Sequence, residues 1–273
     1  MENRELKSVL AEMFAWFHQF CADHQLRYYM LGGTMLGAVR HGGFIPWDDD
    51  IDVGMPREDF RRLEALLGEN PHDLYALETP DSGGPDFFYP YGKLYDTRTT
   101  LVENTRVPIR RGVYLDIFPL DGAGDTREEG LAHFQPIKRR LELLLAMTTG
   151  IRQGRKFHKN AAIMLVRCIP RWLVDPKKLL ADVQRRCAQK DFDRCRWISN
   201  FAGAYWEREM MPREVFGEPT EYVFENMRAY GVADYETYLR TLYGDWRQLP
   251  PVEKRKSHHD NVCCDLNRSY LEE

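Results

Sequence analysis

Four aspartates fall within five residues of this sequence, and their crowding could do chemistry. The run DDDID supplies Asp48, Asp49, Asp50 and Asp52, and the apolar pattern IDVGM follows at once. Like charges about 4 Å apart repel by roughly 4 kcal/mol at an effective dielectric of about 20. Water relieves that repulsion in a surface turn, but a strand that enters the core needs a positive partner. The run therefore predicts a cation site, with a solvated acidic turn as the alternative.

Divalent metal binding is the chemistry that these residue types favour. On a strand, alternate residues share a face, so Asp48, Asp50 and Asp52 would line one side, with the last two as the firmer pair. Such carboxylates can hold one or two divalent cations, and oxygen ligands favour Mg²⁺ or Mn²⁺. The run lacks cysteine and histidine, which argues against zinc. It also departs from a calcium loop, because Val53 stands where that loop requires glycine.

Two flanking segments add a phosphate cradle and a third carboxylate. Gly32, Gly33 and Thr34 end the strand-like segment LRYYML and open a helix, so they would present N–H groups and a hydroxyl to a phosphate. Asp116 lies within the apolar segment VYLDIFPL. A carboxylate buried there needs a partner, and the metal site would supply one. The order strand, GGT, helix and DxD strand thus places a phosphate site beside a metal site.

The sequence resembles a known family in the segments that carry these motifs. LGGTMLGAVRHGGFIPWDDDIDV, YLDIFPLDG and YGDWRQLPPVEKRKSHH are similar to the LicD family, bacterial phosphocholine transferases that also resemble the fukutin-related proteins. The resemblance runs from about residue 25 to residue 260 and is weakest between 125 and 200. It implies metal binding at Asp48, Asp50 and Asp52, with Asp116 as the third acidic position of the core.

The resemblance also implies a reaction. The family has a nucleotidyltransferase-type core and moves a phosphoalcohol, typically phosphocholine from CDP-choline, onto a sugar hydroxyl of a surface glycan such as teichoic acid or lipopolysaccharide. Relatives use other CDP-alcohols, including CDP-ribitol. The hydroxyl would attack the phosphorus that bears the alcohol, and CMP would leave. Asp50, Asp52 and Asp116 are then the catalytic candidates, and Asp116 either binds a second metal or accepts the hydroxyl proton.

Several further residues are candidates for contacts with the substrates. Arg40, Lys93, and His258 or His259 could contact phosphate or glycan, although a surface charge or a satisfied histidine explains each equally well. A choline head group would need aromatic faces around its ammonium. We assign no ring to that role, because aromatic residues at such places more often belong to the core. The segment DFFYPYGKLY is the first place to look for it.

Hydrophobic periodicity supplies the elements that must position these residues. Helical spacing predicts helices over residues 4–24, over TMLGAVRH, over PREDFRRLEALLGEN with Pro56 in the first position, and over DYETYLRTLYGDW. Strands are predicted at LRYYML, DDIDVGM, LYALET, PYGKLYD and GVYLDIFPL, and residues 126–190 indicate helices without a strand. With the resemblance, this predicts an α/β (α+β) class: a nucleotidyltransferase-type mixed sheet core with helices, plus a helical subdomain in the middle of the chain.

The same patterns divide the chain into three regions. We expect a catalytic core over residues 1–125, a helical insertion over 126–200, and a C-terminal helical part over 201–273 that completes the core and the active site. Residues 138–178 carry eleven Lys or Arg against two acids. That excess indicates either a solvated basic face or, alternatively, a surface for peripheral contact with a membrane or a lipid-linked glycan.

Composition sets the compartment and the class of partner. The 273 residues carry 38 basic and 42 acidic side chains, so a net charge of −4 offers no global field for nucleic acid. Six scattered cysteines without a CxxC pair predict free thiols in a reducing cytoplasm. We also see no signal peptide and no apolar run of the roughly 18 residues that span a bilayer. The expected location is cytoplasmic, at the inner face of the membrane if the basic segment docks there.

Three functions remain open on the sequence alone. The first is a metal-dependent phosphoalcohol transferase with a CDP-alcohol donor and a glycan or lipid-linked glycan acceptor. The second is a nucleotidyltransferase that moves the nucleoside monophosphate itself. The third is a binding protein without turnover, which the complete set of aspartates argues against.

Overall fold

Mixed α and β elements alternate along the whole chain. The computed structural model describes residues 2–103, 105, 108–150, 163–166, 173–255 and 261–272. The main helices are α1 (Glu2–Asp23), α2 (Gly32–His41), α3 (Arg57–Glu69), α4 (Arg127–Thr148), α5 (Pro176–Cys187), α6 (Arg213–Phe216) and α7 (Tyr235–Tyr243). Short 3₁₀ helices cover Trp206–Glu209 and Val252–Lys254. The strands are β1 (Tyr29–Met30), β2 (Asp52–Pro56), β3 (Tyr75–Glu78), β4 (Gly92–Asp96), β5 (Thr100–Glu103), β6 (Ile109–Arg111), β7 (Tyr114–Gly124), β8 (Trp197–Ser199), β9 (Met210–Pro212), β10 (Thr220–Phe224), β11 (Met227–Gly231) and β12 (Asn261–Asp265).

The strands form one large mixed sheet and one small sheet. The large sheet has the order β10-β11-β1-β2-β7-β4-β3, and β8 and β9 extend it from the far end of β7. The β1–β11 and β2–β7 pairs are parallel, and the others in this sheet are antiparallel. The small sheet has the order β12-β5-β6. A mixed sheet with helices confirms the predicted fold class.

Strand β7 lies in the interior of the large sheet, between β2 and β4. All eleven of its residues are buried, as expected for a strand whose apolar run is almost continuous. Its parallel neighbour β2 buries its last four residues. Helices α1 and α3 pack against β7, and the core of buried residues includes Phe14 and Phe17 from α1 and Leu63 from α3. This rigid centre fixes the positions of the polar residues that β2 and β7 carry.

Helix α3 begins one residue later than predicted. Pro56 is the last residue of β2 and precedes the first helical residue, Arg57. Its extended ψ of 136° suits a strand end, and the fixed φ of proline is compatible with that position. The buried side of the helix includes Leu63 and Leu67.

The middle of the chain has a small core of its own. Phe134, Ile137 and Leu141 of α4 pack with Val183 and Cys187 of α5, near the end of β7. Residues 201–273, however, were expected to be helical, and that expectation is wrong in part because they also contain β9, β10, β11 and β12. The alternating segment TEYVFENMRAYG forms the β10–β11 hairpin, turning at a residue with positive φ. The three-region division itself stays a prediction.

Two basic residues in the described part of the basic segment form ion pairs. Lys138 lies 2.7 Å from Glu207, and Arg140 pairs with Asp182. These ion pairs favour a structural, solvated role for that part of residues 138–178, and residues 151–162 and 167–172 lie outside the described chain. Within the residues that the structure describes, no helix has the length and apolar character to cross a bilayer.

Candidate active site

The parallel pairing of β2 and β7 brings two of the predicted carboxylates side by side. Asp52 is in register with Asp116, and the Asp116 N–H donates to the carbonyl of Ile51 at 3.0 Å. Residues in register on parallel strands present their side chains to the same face of the sheet. Asp52 and Asp116 therefore share one face at the start of both strands.

The other aspartates reach the same place from a loop. The prediction that Asp48, Asp50 and Asp52 alternate along a strand is wrong, because β2 begins only at Asp52. Residues 42–51 connect α2 to β2, and carboxylate oxygens of Asp48, Asp49 and Asp50 lie within 4.8 Å of one another. All three are partly exposed. The loop, and not strand alternation, gathers the acids.

Close approach between this loop and the start of α2 requires a glycine. A Cβ atom at Gly33 would lie 2.5 Å from Oδ2 of Asp48, and one at Gly32 would lie 3.4 Å from Oδ2 of Asp52. A side chain at Gly33 would therefore displace the Asp48 carboxylate. The N–H of Gly32 donates to the hydroxyl of Tyr238 at 2.9 Å. Both glycines line the cavity described below, where phosphate binding by their segment stays a prediction.

Thr34 does not take the role predicted for it. The residue is buried, and its hydroxyl oxygen accepts a hydrogen bond from the N–H of Asp52 at 2.8 Å. The side chain therefore faces inward from α2 and fixes the first residue of β2. This corrects its assignment as a phosphate contact.

The electrostatics of the acidic loop favour a cation. Burial raises the pKa of Asp52 well above its ordinary value, and the negative charges of Asp50, Asp116 and Asp48 act in the same direction. A divalent cation would relieve both effects, since it favours the ionised carboxylates. An all-oxygen donor set also suits Mg²⁺ or Mn²⁺. The residues at this site therefore fit the metal that the sequence predicted.

Asp116 has a partner that the sequence analysis did not identify. Lys93 of β4 is opposite Asp116 in the antiparallel register, and its Nζ lies 3.0 Å from Asp116 Oδ1 and 3.5 Å from Glu103 Oε1. The side chain of Lys93 is only 1% exposed. We had predicted a contact between Lys93 and phosphate or glycan, and this burial contradicts it. The charge of Asp116 is balanced from within the fold.

Three tyrosines surround the same ammonium. Lys93 Nζ lies 3.2, 4.4 and 5.7 Å from the ring centres of Tyr114, Tyr89 and Tyr91. Tyr89 also donates a hydrogen bond of 2.6 Å to Glu103. Cation–π contacts of this kind stabilise a buried cation. Tyr89 and Tyr91 of the segment DFFYPYGKLY thus face a cation of the chain itself, as does Tyr114 of β7.

The acidic loop opens on a cavity of about 930 Å³. Its walls come from α2, the loop over residues 42–51, the residues around the 3₁₀ helix Trp206–Glu209, and the chain that follows α7. Clefts of this size accommodate ligands as large as a nucleotide. Its polar and aromatic lining includes Arg40, Trp47, Asp48, Asp50, Asp52, Tyr205, Glu209, Tyr243, Trp246 and Arg255.

Two guanidinium groups line this cavity together with the carboxylates. Arg40 donates to the carbonyl of Trp246 at 2.8 Å, and Arg255 donates to the carbonyl of Pro250 at 2.8 Å. In the part of the chain that the structure describes, neither arginine pairs with a carboxylate. Burial lowers the pKa of Arg40, and the nearby charge of Arg255 acts in the same direction. This wall of the cavity is therefore suited to an anionic ligand.

The predicted basic contacts thus have different outcomes. Arg40 lies on the cavity wall, whereas Lys93 is buried behind Asp116. Arg255 was not predicted, although it belongs to the basic run EKRKSHH that follows Pro-Pro. His258 and His259 lie outside the described residues.

Comparison with known proteins identifies a LicD domain in this chain. Residues 25–137 match the model described as LicD/FKTN/FKRP, nucleotidyltransferase domain. This chain therefore contains a LicD domain. It is 28% identical over 261 residues to the lipopolysaccharide cholinephosphotransferase LicD of Haemophilus influenzae. That alignment covers 94% of this chain and 95% of the Haemophilus protein. Over 43 residues it is 51% identical to human ribitol 5-phosphate transferase FKRP, covering 16% of this chain and 9% of that protein.

The LicD domain and the match to the Haemophilus protein confirm the resemblance found in the sequence and support a LicD-type phosphotransferase. The LicD family model includes β2 and β7 and ends within α4. It therefore covers the acidic loop, Lys93 and Asp116. The cavity wall formed by residues after 200 lies beyond it, within the longer match to the Haemophilus protein.

Proposed function

We propose that this LicD-domain enzyme transfers a phosphoalcohol from a CDP-alcohol, most simply phosphocholine from CDP-choline, onto a sugar hydroxyl of a cell-surface glycan or its lipid-linked precursor. CMP is the second product. One observation carries the proposal: a single cavity is lined by a crowded set of carboxylates and by two guanidinium groups that have no carboxylate partner among the described residues. A divalent cation would bind to the carboxylates, and a diphosphate held by that cation would accept hydrogen bonds from the guanidinium groups.

The residues that would hold the metal are Asp48, Asp50 and Asp52, with Asp116 beside them. A bound Mg²⁺ or Mn²⁺ would neutralise the diphosphate and stabilise the charge that develops on the departing CMP. Asp116 is a poor candidate for the general base. Protonating it would remove one charge of its buried pair with Lys93, which is costly. We therefore assign Asp116 an electrostatic role at the metal site and not that of proton acceptor.

The arginines orient the donor for attack. Arg40 and Arg255 donate hydrogen bonds to phosphate oxygens, a role for which the planar guanidinium group is suited. The acceptor hydroxyl attacks the phosphorus that bears the alcohol, forms a new P–O bond and releases its proton to water. The bond from that phosphorus to the bridging oxygen breaks, and the oxygen leaves with CMP. Positioning and electrostatics are the main contributions of the protein to such a step.

A donor panel tests the proposed function. The protein is incubated with Mg²⁺ and either CDP-choline, CDP-ribitol or CDP-glycerol, with and without lipopolysaccharide or teichoic acid, and released CMP is measured. We expect metal-dependent CMP release that increases when a suitable glycan is added, with CDP-choline as the preferred donor. Cytidine phosphate attached to the glycan would instead identify a nucleotidyltransferase. No CMP from any donor and glycan would contradict the proposal.

Replacing Arg255 by glutamine should weaken donor binding. The change removes a charged donor facing phosphate, and hydrogen bonds to charged groups are worth about 1.5–3 kcal/mol, so the dissociation constant for CDP-choline should rise at least about tenfold. Calorimetric titration in the presence of Mg²⁺ measures it. The control is Arg228→Gln, at an exposed residue of β11. Equal affinities in both variants would exclude Arg255 from the phosphate site.

A further inference from the structure

Resting on the proposed function, we infer that Glu209, Tyr205 and Tyr243 form the subsite for a positively charged head group of the transferred alcohol. The ligand class is a quaternary ammonium. Nothing in the motifs of the sequence indicated these residues, which lie in the part of the chain after the LicD family model ends.

Glu209 is a buried carboxylate without a cationic partner in the part of the chain that the structure describes. The residue ends the 3₁₀ helix Trp206–Glu209, is 6% exposed, and lines the same cavity as the acidic loop. It accepts a hydrogen bond of 3.3 Å from the N–H of Tyr205. Among the described residues it has no ion pair. Burial raises the pKa of Glu209 to about 7. A cationic ligand would offset the cost of burying this charge.

The chain makes room for this carboxylate. A Cβ atom at position 203 would overlap the carboxyl group of Glu209, so Gly203 is required by the close approach. Gly203 also lines the cavity. The position of the buried acid is therefore built into the cavity wall.

Two tyrosines supply aromatic faces beside Glu209. The rings of Tyr205 and Tyr243 are 5.2 Å apart in an edge-to-face arrangement, and both line the cavity. Burial raises the pKa of Tyr205, and the negative charges of Glu209, Asp48 and Asp52 contribute to that rise. The N–H of Tyr205 donates to Glu209, and a Cβ atom at Gly32 would lie 3.4 Å from Asp52 Oδ2 and 3.8 Å from the Tyr243 hydroxyl, so the tyrosine pair lies between Glu209 and the acidic residues. This suits choline, whose ammonium is separated from its phosphate oxygen by two carbon atoms.

Most other aromatic residues near the site already face cations of the chain, and Phe118 on the cavity wall packs against Tyr91. The three tyrosines around Lys93 are occupied by its ammonium. On the cavity wall, the Trp47 ring faces Arg255 at 5.4 Å and the Trp246 ring faces Arg247 at 4.3 Å. In the described structure, Tyr205 and Tyr243 make no such contact. They are therefore the rings best able to accept a ligand cation.

A comparison of two donors tests the subsite. The probes are CDP-choline and its neutral analogue, CDP-3,3-dimethylbutanol, in which a carbon replaces the ammonium nitrogen. Dissociation constants are measured calorimetrically with Mg²⁺ present. The wild-type protein should prefer CDP-choline at least about tenfold, because contacts with a desolvated cation depend on its charge. Glu209→Gln should reduce that preference to near unity, mainly by weakening CDP-choline binding.

Glu207→Gln is the matched control. Glu207 lies on the same 3₁₀ helix, is more exposed, and pairs with Lys138 away from Glu209. It should keep the wild-type preference. If wild type binds the two donors equally, or Glu209→Gln keeps the full preference, the subsite is overturned. The wild-type comparison needs no variant to fold. CMP release from a polyol donor alone would preserve the transferase function and overturn the ammonium subsite.

Discussion

The Asp52→Asn variant should release CMP from CDP-choline more slowly than wild type by a factor on the order of 1,000. Asparagine keeps the size of the side chain but removes the charge that would bind the cation at the start of β2. Losing one preorganised electrostatic contact in a buried site often costs a factor of about 100–1,000, and losing a metal ligand should fall at the upper end. Asp50→Asn should behave alike. Initial rates at saturating Mg²⁺ measure the loss.

Stability should change in the opposite direction. Burial and neighbouring negative charges raise the pKa of Asp52, so its ionised form destabilises the metal-free protein near neutral pH. Asp52→Asn should therefore melt at the wild-type temperature or slightly above it without metal. With Mg²⁺ and CDP-choline, wild type should gain stability by mass action, whereas the variant should gain little. Thermal melts with and without these ligands measure both effects.

A carboxylate far from the cavity provides the control. Asp23→Asn changes an exposed residue at the end of α1 and should leave both the rate and the ligand-dependent melting shift unchanged. A solvated acidic turn predicts the same null result for Asp52→Asn. Full activity in the Asp52→Asn variant would contradict the proposed metal site.

Replacing Lys93 by methionine should destabilise the protein by about 3–5 kcal/mol. The ammonium lies between Asp116 and Glu103 and is almost fully buried, so its removal leaves two carboxylates without their cation. Breaking a buried ion pair by removing one partner typically costs that much. Although burial raises the pKa of Glu103, the charge of Lys93 and hydrogen bonds from Tyr89 and Tyr114 hold it below the ordinary value. Denaturant unfolding measures the loss.

A compensated variant separates charge from packing. Adding Glu103→Gln and Asp116→Asn to Lys93→Met removes the unpaired charges and should recover part of the lost stability. Lys178→Met, at an exposed residue of α5, should change stability little. A Lys93→Met protein as stable as wild type would show that the ion pair has no structural role.

The sequence predicted the parts of the site that lie close together along the chain. The aspartate run and the two glycines share one short stretch, so their chemistry was visible without a fold. The residues that were expected to form a strand around Asp48 and Asp50 form a loop, because β2 starts only at Asp52. This loop follows α2 and brings Asp48 back beside Gly33 in the first turn of that helix. Asp48, Asp49 and Asp50 do lie close together, but on a loop and not on the predicted strand, and their binding of a metal stays a prediction.

Contacts between distant segments could not be predicted in the same way. The Lys93–Asp116 pair depends on the register of β4 against β7, which no local pattern specifies. Arg255 and Glu209 reach the cavity from the far end of the chain. The aromatic segment DFFYPYGKLY is a similar case. Its sequence shows rings that suit a cation, but it does not show that the ammonium of Lys93 lies against two of them.

The path of phosphorus tests the central claim most directly. CDP-choline is prepared with ³²P in one or the other of its two phosphates and incubated with the protein, Mg²⁺ and lipopolysaccharide that lacks phosphocholine. The account predicts that the label next to choline moves to the glycan, that the label next to cytidine appears in CMP, and that Asp52→Asn moves neither. Cytidine phosphate label on the glycan, transfer that persists without a divalent cation, or no transfer by wild type would contradict it.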